Sequence, residues 1–113
     1  MDNLNNIDFY RKAIETVIQD HAQRPSNGDI QSEVIVDAEK RHYEVMFVGW
    51  DGMRRVHGSV LHIDLIGDKI WIQHDGPAPG VARELVDAGV PKDKIVLGFR
   101  PKHIREMMGY AVE

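Results

Sequence analysis

Four β-rich runs follow one another with almost nothing between them: "DIQSEVIVD" (Asp29–Asp37), "HYEVMFVGW" (His42–Trp50), "RRVHGSVLHIDLI" (Arg54–Ile66) and "KIWIQHD" (Lys69–Asp75). The connectors are "AEKR", "DGM" and "GD". A parallel pairing needs a crossover of roughly a dozen residues or more, so each run must lie antiparallel to the next. A meander with one apolar face then needs a second layer to cover it.

The flanking segments supply that layer. From Leu4 to about Gln23, Ile7, Tyr10, Ile14, Val17 and Ile18 recur at helical spacing, with Lys12, Glu15, Gln19 and Arg24 on the wet side. Asn3, Asn5 or Asn6 can cap the start, and Pro25 and Gly28 break the end. After the meander, Pro77, Pro79 and Gly80 make a turn. Val81, Leu85 and Ala88 form a short helical stripe, which Gly89 and Pro91 stop. Ile95–Phe99 reads as a brief apolar strand. Pro101 opens a last helix through Ile104, Met107 and Met108, whose methionines suit flexible core or interface filling. "GYAV" tucks against the body. The expectation is one α+β domain over residues 1–113: an antiparallel β-meander of four main strands plus a short fifth, packed against a long N-terminal helix and shorter C-terminal helices.

The hairpin turn Gly67-Asp68 sets the sidedness. It pairs Leu65 with Ile70, Ile63 with Ile72 and Leu61 with His74 on the core face, because side chains alternate with period two. The other face carries Asp64 beside Trp71, His62 beside Gln73 and Val60 beside Asp75. In the preceding hairpin, a strict Asp51-Gly52 turn would bury Glu44, at a cost of several kcal/mol for an unpaired carboxylate. A three-residue loop Trp50-Asp51-Gly52, or an equivalent bulge near Gly58, instead sends Tyr43, Val45 and Phe47 inward. Met46 and Val48 then join His62, Asp64, Trp71 and Gln73 on the outer face. That patch is too apolar for a merely solvated surface and is the expected partner-binding site, the chain itself being one candidate partner as a homodimer.

The chemistry is less specific. There is no cysteine, which removes disulfides, thiolate metal sites and thiol nucleophiles, and fits a reducing cytosol. "MDNLNNIDFYRK" has no apolar core of a signal peptide, and no run is long enough to span a bilayer, so a cytoplasmic protein without membrane contact is expected. No Asp or Glu has a Lys two positions later, which argues against one common nuclease pattern, and no glycine-rich phosphate loop is present. His57, His62 and His74 do not converge on regular strands, so neither a metal site nor a cofactor is expected. His62 and Asp64 are neighbours on one face and could form an acid–base pair, but no nucleophile accompanies them. Fourteen Lys and Arg against eighteen Asp and Glu give −4, which weighs against autonomous DNA binding. Arg54, Arg55, Arg100, Lys102 and Arg105 are nonetheless the candidate nucleic-acid contacts.

The strings "VGW" (Val48–Trp50), "RRV" (Arg54–Val56), "LHID" (Leu61–Asp64), "KIWIQHDG" (Lys69–Gly76) and "GVPKDKIVLGF" (Gly89–Phe99) closely resemble the XisI family, the fdxN element excision controlling factors of cyanobacteria. The resemblance runs over essentially the whole chain, departing at Pro77 and Arg100. It implies a small α+β fold and a role in site-specific excision of a DNA element; in that context the expectation is a non-enzymatic accessory protein that acts through protein–protein contact. The implied partners are a site-specific recombinase and a second, nuclease-like controlling factor, XisH, with any DNA contact indirect. The resemblance transfers no catalytic residues. The alternatives are direct DNA binding through Arg54, Arg55 and the Arg100–Arg105 region, and an enzyme using His62 and Asp64.

Overall fold

In a computed structural model, which describes residues 3–22, 28–76 and 80–113, the four β-runs form the meander that their connectors demand. The order along the chain is α1 (Asn3–Ala22), β1 (Asp29–Asp37), β2 (His42–Asp51), β3 (Arg54–Ile66), β4 (Lys69–Asp75), α2 (Val81–Asp87), a 3₁₀ turn at Lys92–Lys94, β5 (Ile95–Leu97) and α3 (Lys102–Arg105). The sheet order is β1-β2-β3-β4-β5. The expected turn at Pro77 and Pro79, and the helix end at Gln23, Arg24 and Pro25, lie outside the described residues.

α1 lays Ile7, Tyr10, Ala13, Ile14, Val17 and Ile18 onto the sheet, where they meet buried Tyr43, Val45, Leu61, Ile63, Leu65, Ile70 and Ile72. Each aliphatic side chain buried here stabilises the fold by about 1.5–3 kcal/mol relative to exposure. α2 adds Val81 and Leu85 to the same core. Its start is held by the sheet itself: the Gly80 and Val81 amides donate to Asp75 Oδ2 at 3.1 and 3.2 Å, satisfying N–H groups that a helix leaves unpaired. At the other edge, Ser32 Oγ donates to the Ala22 carbonyl and ties β1 to the end of α1.

The register matches expectation near the Gly67-Asp68 turn, with Leu65–Ile70, Asp64–Trp71 and Ile63–Ile72 paired and Gly67 at φ +62°. Beyond Ile63 it departs. An extra residue at Gln73 pairs His62 with His74 and Leu61 with Asp75, so His74 is exposed rather than on the core side. In the β2–β3 hairpin the loop is Gly52-Met53, not Trp50-Asp51-Gly52. The compensating residue is a bulge at Val60, between the pairs Val45–Leu61 and Met46–Ser59, close to the bulge expected near Gly58. Val60 and Leu61 thereby both pack toward the core, and Tyr43, Val45 and Phe47 point inward as the cost of burying Glu44 requires.

Two features differ at the C-terminal end. β5 is parallel to β4, pairing Ile70–Ile95 and Ile72–Leu97, so the sheet is mixed; α2 provides the crossover that a parallel neighbour needs. α3 is one turn long rather than reaching Met108, and Met107 and Met108 are exposed. The chain from Gly98 onward instead runs over the sheet face opposite α1. There Val96, paired with Trp71, is fully buried yet outside the main core cluster. The expected tuck of "GYAV" takes the form of a parallel bridge, with the Ala111 amide donating to the Ile95 carbonyl at 2.9 Å.

Candidate functional site

The outer face, opposite α1, is built by three strands in register. β1–β2–β3 pairing aligns Asp37, His42 and Asp64, then Ile35, Glu44 and His62, and β4 adds Trp71 beside Asp64. Directly paired residues share a face, so this is one contiguous surface.

Asp64 is its centre. Its side chain is 12% exposed, and it accepts three hydrogen bonds. His42 Nδ1 and His62 Nε2 both donate to Oδ1, at 2.7 and 3.0 Å, and Gln73 Nε2 donates to Oδ2 at 3.2 Å. Burial pushes the carboxyl up. The hydrogen bond from His42, the charge of His62 and the hydrogen bonds from Gln73 and His62 outweigh that and hold it below the usual carboxylate range. Asp64 is therefore a fixed anion under two imidazoles that remain open to solvent. Among the described residues, His42, His62 and Asp64 are the one group of three histidine, aspartate or glutamate residues whose ligand atoms converge, all within 4.8 Å of one another.

The C-terminal segment roofs one side of this cluster. The Arg105 guanidinium lies 5.2 Å from the centre of the half-buried Trp71 ring. It is fixed there by donating to the carbonyls of Arg100 at 2.8 Å, Val112 at 2.9 Å and Leu97 at 3.2 Å. Gly98 passes so close that a Cβ on it would come within 2.6 Å of Gln73 Oε1 and 3.2 Å of Trp71. The glycine of "VLGF" lets the chain cross over these two side chains. Trp71 thus faces away from α1, as the register requires, but it is a packed ring under an arginine and not a bare anchor.

Of the expected partner-binding residues, His62, Asp64, Trp71 and Gln73 are brought together. Met46 and Val48 lie further along β2 on the same face, half-buried, in a row that ends at the 48% exposed Trp50. His42 and Trp50 escaped the sequence reading. Both could have been found by extending the β2 alternation outward from Tyr43 and Val45, which fixes even-numbered β2 residues on the face of Asp64.

The candidate nucleic-acid residues do not form one patch of free cations. Arg54 bonds to Asp51 at 3.2 Å; Arg55 stacks on Trp50 at 5.3 Å and donates to the Gly49 carbonyl. Arg100 lies over Phe99, Lys102 contacts Glu113 at 3.2 Å, and Arg105 is committed as described. Beside the hairpin, a shallow groove of about 280 Å³ runs along Arg54–Val60 with Phe47 at its base. It follows the edge of β3 that β4 leaves uncovered, since β4 pairs only with Leu61–Ile66. His57, exposed, lines this groove and does not approach the Asp64 cluster.

A family model described as "XisI protein" matches residues 1–112. The crystal structure of a XisI-like protein from Anabaena variabilis ATCC 29413 superposes with a TM-score of 0.85 at 34% identity, covering 92% of this chain and 96% of that one. The fdxN element excision controlling factor XisI from the same organism superposes with a TM-score of 0.81 at 29% identity, covering 99% and 100%. No curated protein matches the chain.

Proposed function

Since this chain belongs to the XisI family, we propose that it is a non-enzymatic accessory factor that acts by protein–protein contact in the site-specific excision of a DNA element. The observation that carries this reading is the end-to-end likeness to the fdxN element excision controlling factor, with 99% of this chain covered and 100% of that one. An element-excision role places it in the cytoplasm with the DNA, beside a recombinase and an XisH-like second factor.

The contact surface is the outer row of β2, Met46, Val48 and Trp50, continued by Ile35 on β1 and by Met53 at the hairpin tip. Trp50, Ile35 and Met53 are the exposed large apolar side chains here, Met53 at 98%. Tryptophan is a frequent interface anchor, and Arg55 already holds this one in place. His62, Asp64 and Gln73 border the surface but direct polar atoms to one another, and Trp71 is packed under Arg105. Direct DNA binding is the weaker reading, because Arg54, Arg55, Arg100, Lys102 and Arg105 each have a partner within the chain and the total charge is −4. An enzyme using His62 and Asp64 is weaker still, since among the described residues no nucleophile or enclosed pocket stands beside them.

Co-purification with the recombinase and the second factor encoded in the same genome tests the proposal. Trp50→Ala should weaken association at least tenfold, about 1.4 kcal/mol or more, with the far-UV spectrum unchanged. If the wild-type chain captures neither protein, or Trp50→Ala binds as well as wild type, the contact reading is wrong.

A further inference from the structure

We propose that His42 Nδ1, His62 Nε2 and Asp64 Oδ1 form a binding site for one divalent transition-metal ion of the zinc, cobalt or nickel kind. The inference does not depend on the excision role, and the two can fail separately.

Three residues from two strands aim their donor atoms at one point. His42 stands at the start of β2, directly after Arg41, whose left-handed conformation (φ 62°) closes the β1–β2 loop. Strand pairing sets His42 opposite Asp64, and Asp64 follows His62 by two on the same face. Both imidazoles converge on a single oxygen, Oδ1, at 2.7 and 3.0 Å, although the carboxylate has two. For metal–ligand bonds of about 2.1 Å, adjacent ligands of an octahedral ion lie about 3 Å apart. The two nitrogen–oxygen distances already match such edges. The imidazole nitrogens lie within 4.8 Å of each other, and His42, 54% exposed, borders solvent rather than packed side chains on its open side.

The surroundings fit a cation. Gln73 occupies Oδ2 and so turns Oδ1 toward the histidines, the orienting contact that ligating carboxylates commonly have. Glu44 lies opposite His62 and Asp37 opposite His42, which adds two carboxylates to the same face. The side chains of His42 and His62 are 54% and 37% exposed, leaving room for the water molecules that complete a coordination sphere. Two imidazoles and one carboxylate select transition metals over magnesium or calcium, which prefer oxygen donors throughout. Binding requires lone pairs at His42 Nδ1 and His62 Nε2, with the ring protons on the opposite nitrogens.

Cobalt(II) is a suitable probe for the full-length, chelator-stripped chain. Equilibrium dialysis should find one cobalt per chain at micromolar concentration. Trp71, next to Asp64 in the sheet, should be quenched as cobalt binds. His42→Ala and His62→Ala should each weaken binding more than tenfold, and Gln73→Ala about tenfold. His57→Ala and His74→Ala should leave it unchanged. Circular dichroism checks that the variants fold, and His42→Gln replaces His42→Ala if the latter does not. Binding only at millimolar cobalt, or equal binding by the wild-type and His42 variants, overturns the proposal.

Discussion

The two ends of the outer face are built on opposite principles. At the β3–β4 end, Asp64 is saturated by His42, His62 and Gln73, and Arg105 clamps Trp71 from above. At the hairpin end, β3 has a neighbour on one side only, and Met53 and Trp50 stand in solvent. Preorganised polar groups are what small, geometrically demanding ligands need. An extended ribbon with exposed apolar side chains can adapt to a macromolecule. One face therefore offers two kinds of recognition, and disturbing either end alone should expose the division.

The largest effect should come from the hairpin end, at Gly49, three residues before the Gly52-Met53 loop. Gly49 is buried where it pairs with Ile30 of β1; a Cβ there would overlap the Asp29 carbonyl oxygen and sit 2.7 Å from Ile30 Cα. Backbone cannot yield as a flexible side chain does, so Gly49→Ala should destabilise the chain by about 3 kcal/mol. Urea unfolding measures this. A loss below about 1 kcal/mol would mean that β1 is not firmly seated on the hairpin, and the two ends would be less distinct than described.

Next comes the anchored end. Asp64→Asn keeps the shape but removes the charge that both imidazoles and Gln73 address, for an expected loss of about 1–3 kcal/mol at neutral pH. The sign with pH follows from the depressed carboxyl of the folded state. The stabilisation from Asp64 is fully present above the unfolded-state value of about 3.9 and is lost as pH falls through the lower folded-state value. In chelator, the gap between wild type and Asp64→Asn should shrink as pH drops below about 4. A gap that stayed constant through that window would show that Asp64 contributes through packing and not through charge.

Much of this architecture was legible in the residues. Period 3.6 in Ile7 to Ile18 and period two around Gly67-Asp68 fixed α1, the meander and the grouping of His62, Asp64, Trp71 and Gln73 on one face. The rest left weaker traces. A bulge adds one residue without any composition of its own, so the slip at Gln73 and the exposure of His74 could not be seen, while the bulge at Val60 was approachable because a buried Glu44 would have been so costly. The three residues of β5 are too few to carry a period, and their parallel direction depends on the path of α2. The roof over Trp71 was hidden for a related reason: Arg105 looks like a free cation until three backbone carbonyls claim it. His42 carries no local sign of its role, because its partner Asp64 lies 22 residues away.

The smallest effect separates surface recognition from stability at the hairpin tip. Arg54 and Asp51 form an exposed pair three residues apart, with side chains 74% and 60% accessible. Water screens such pairs, and holding two long side chains together costs entropy, so Arg54→Ala should change unfolding free energy by less than about 0.5 kcal/mol. If the hairpin serves a protein partner through Trp50 and Met53, the same variant should leave that affinity within about twofold, since rim charges act mainly on association rates. If the tip instead held phosphate, Arg54→Ala would weaken duplex binding and lower its salt dependence by about one counterion. Fluorescence anisotropy with a short duplex at two salt concentrations distinguishes these outcomes, and a salt-dependent loss of duplex binding in the variant would turn the hairpin from a protein-binding ribbon into a nucleic-acid contact.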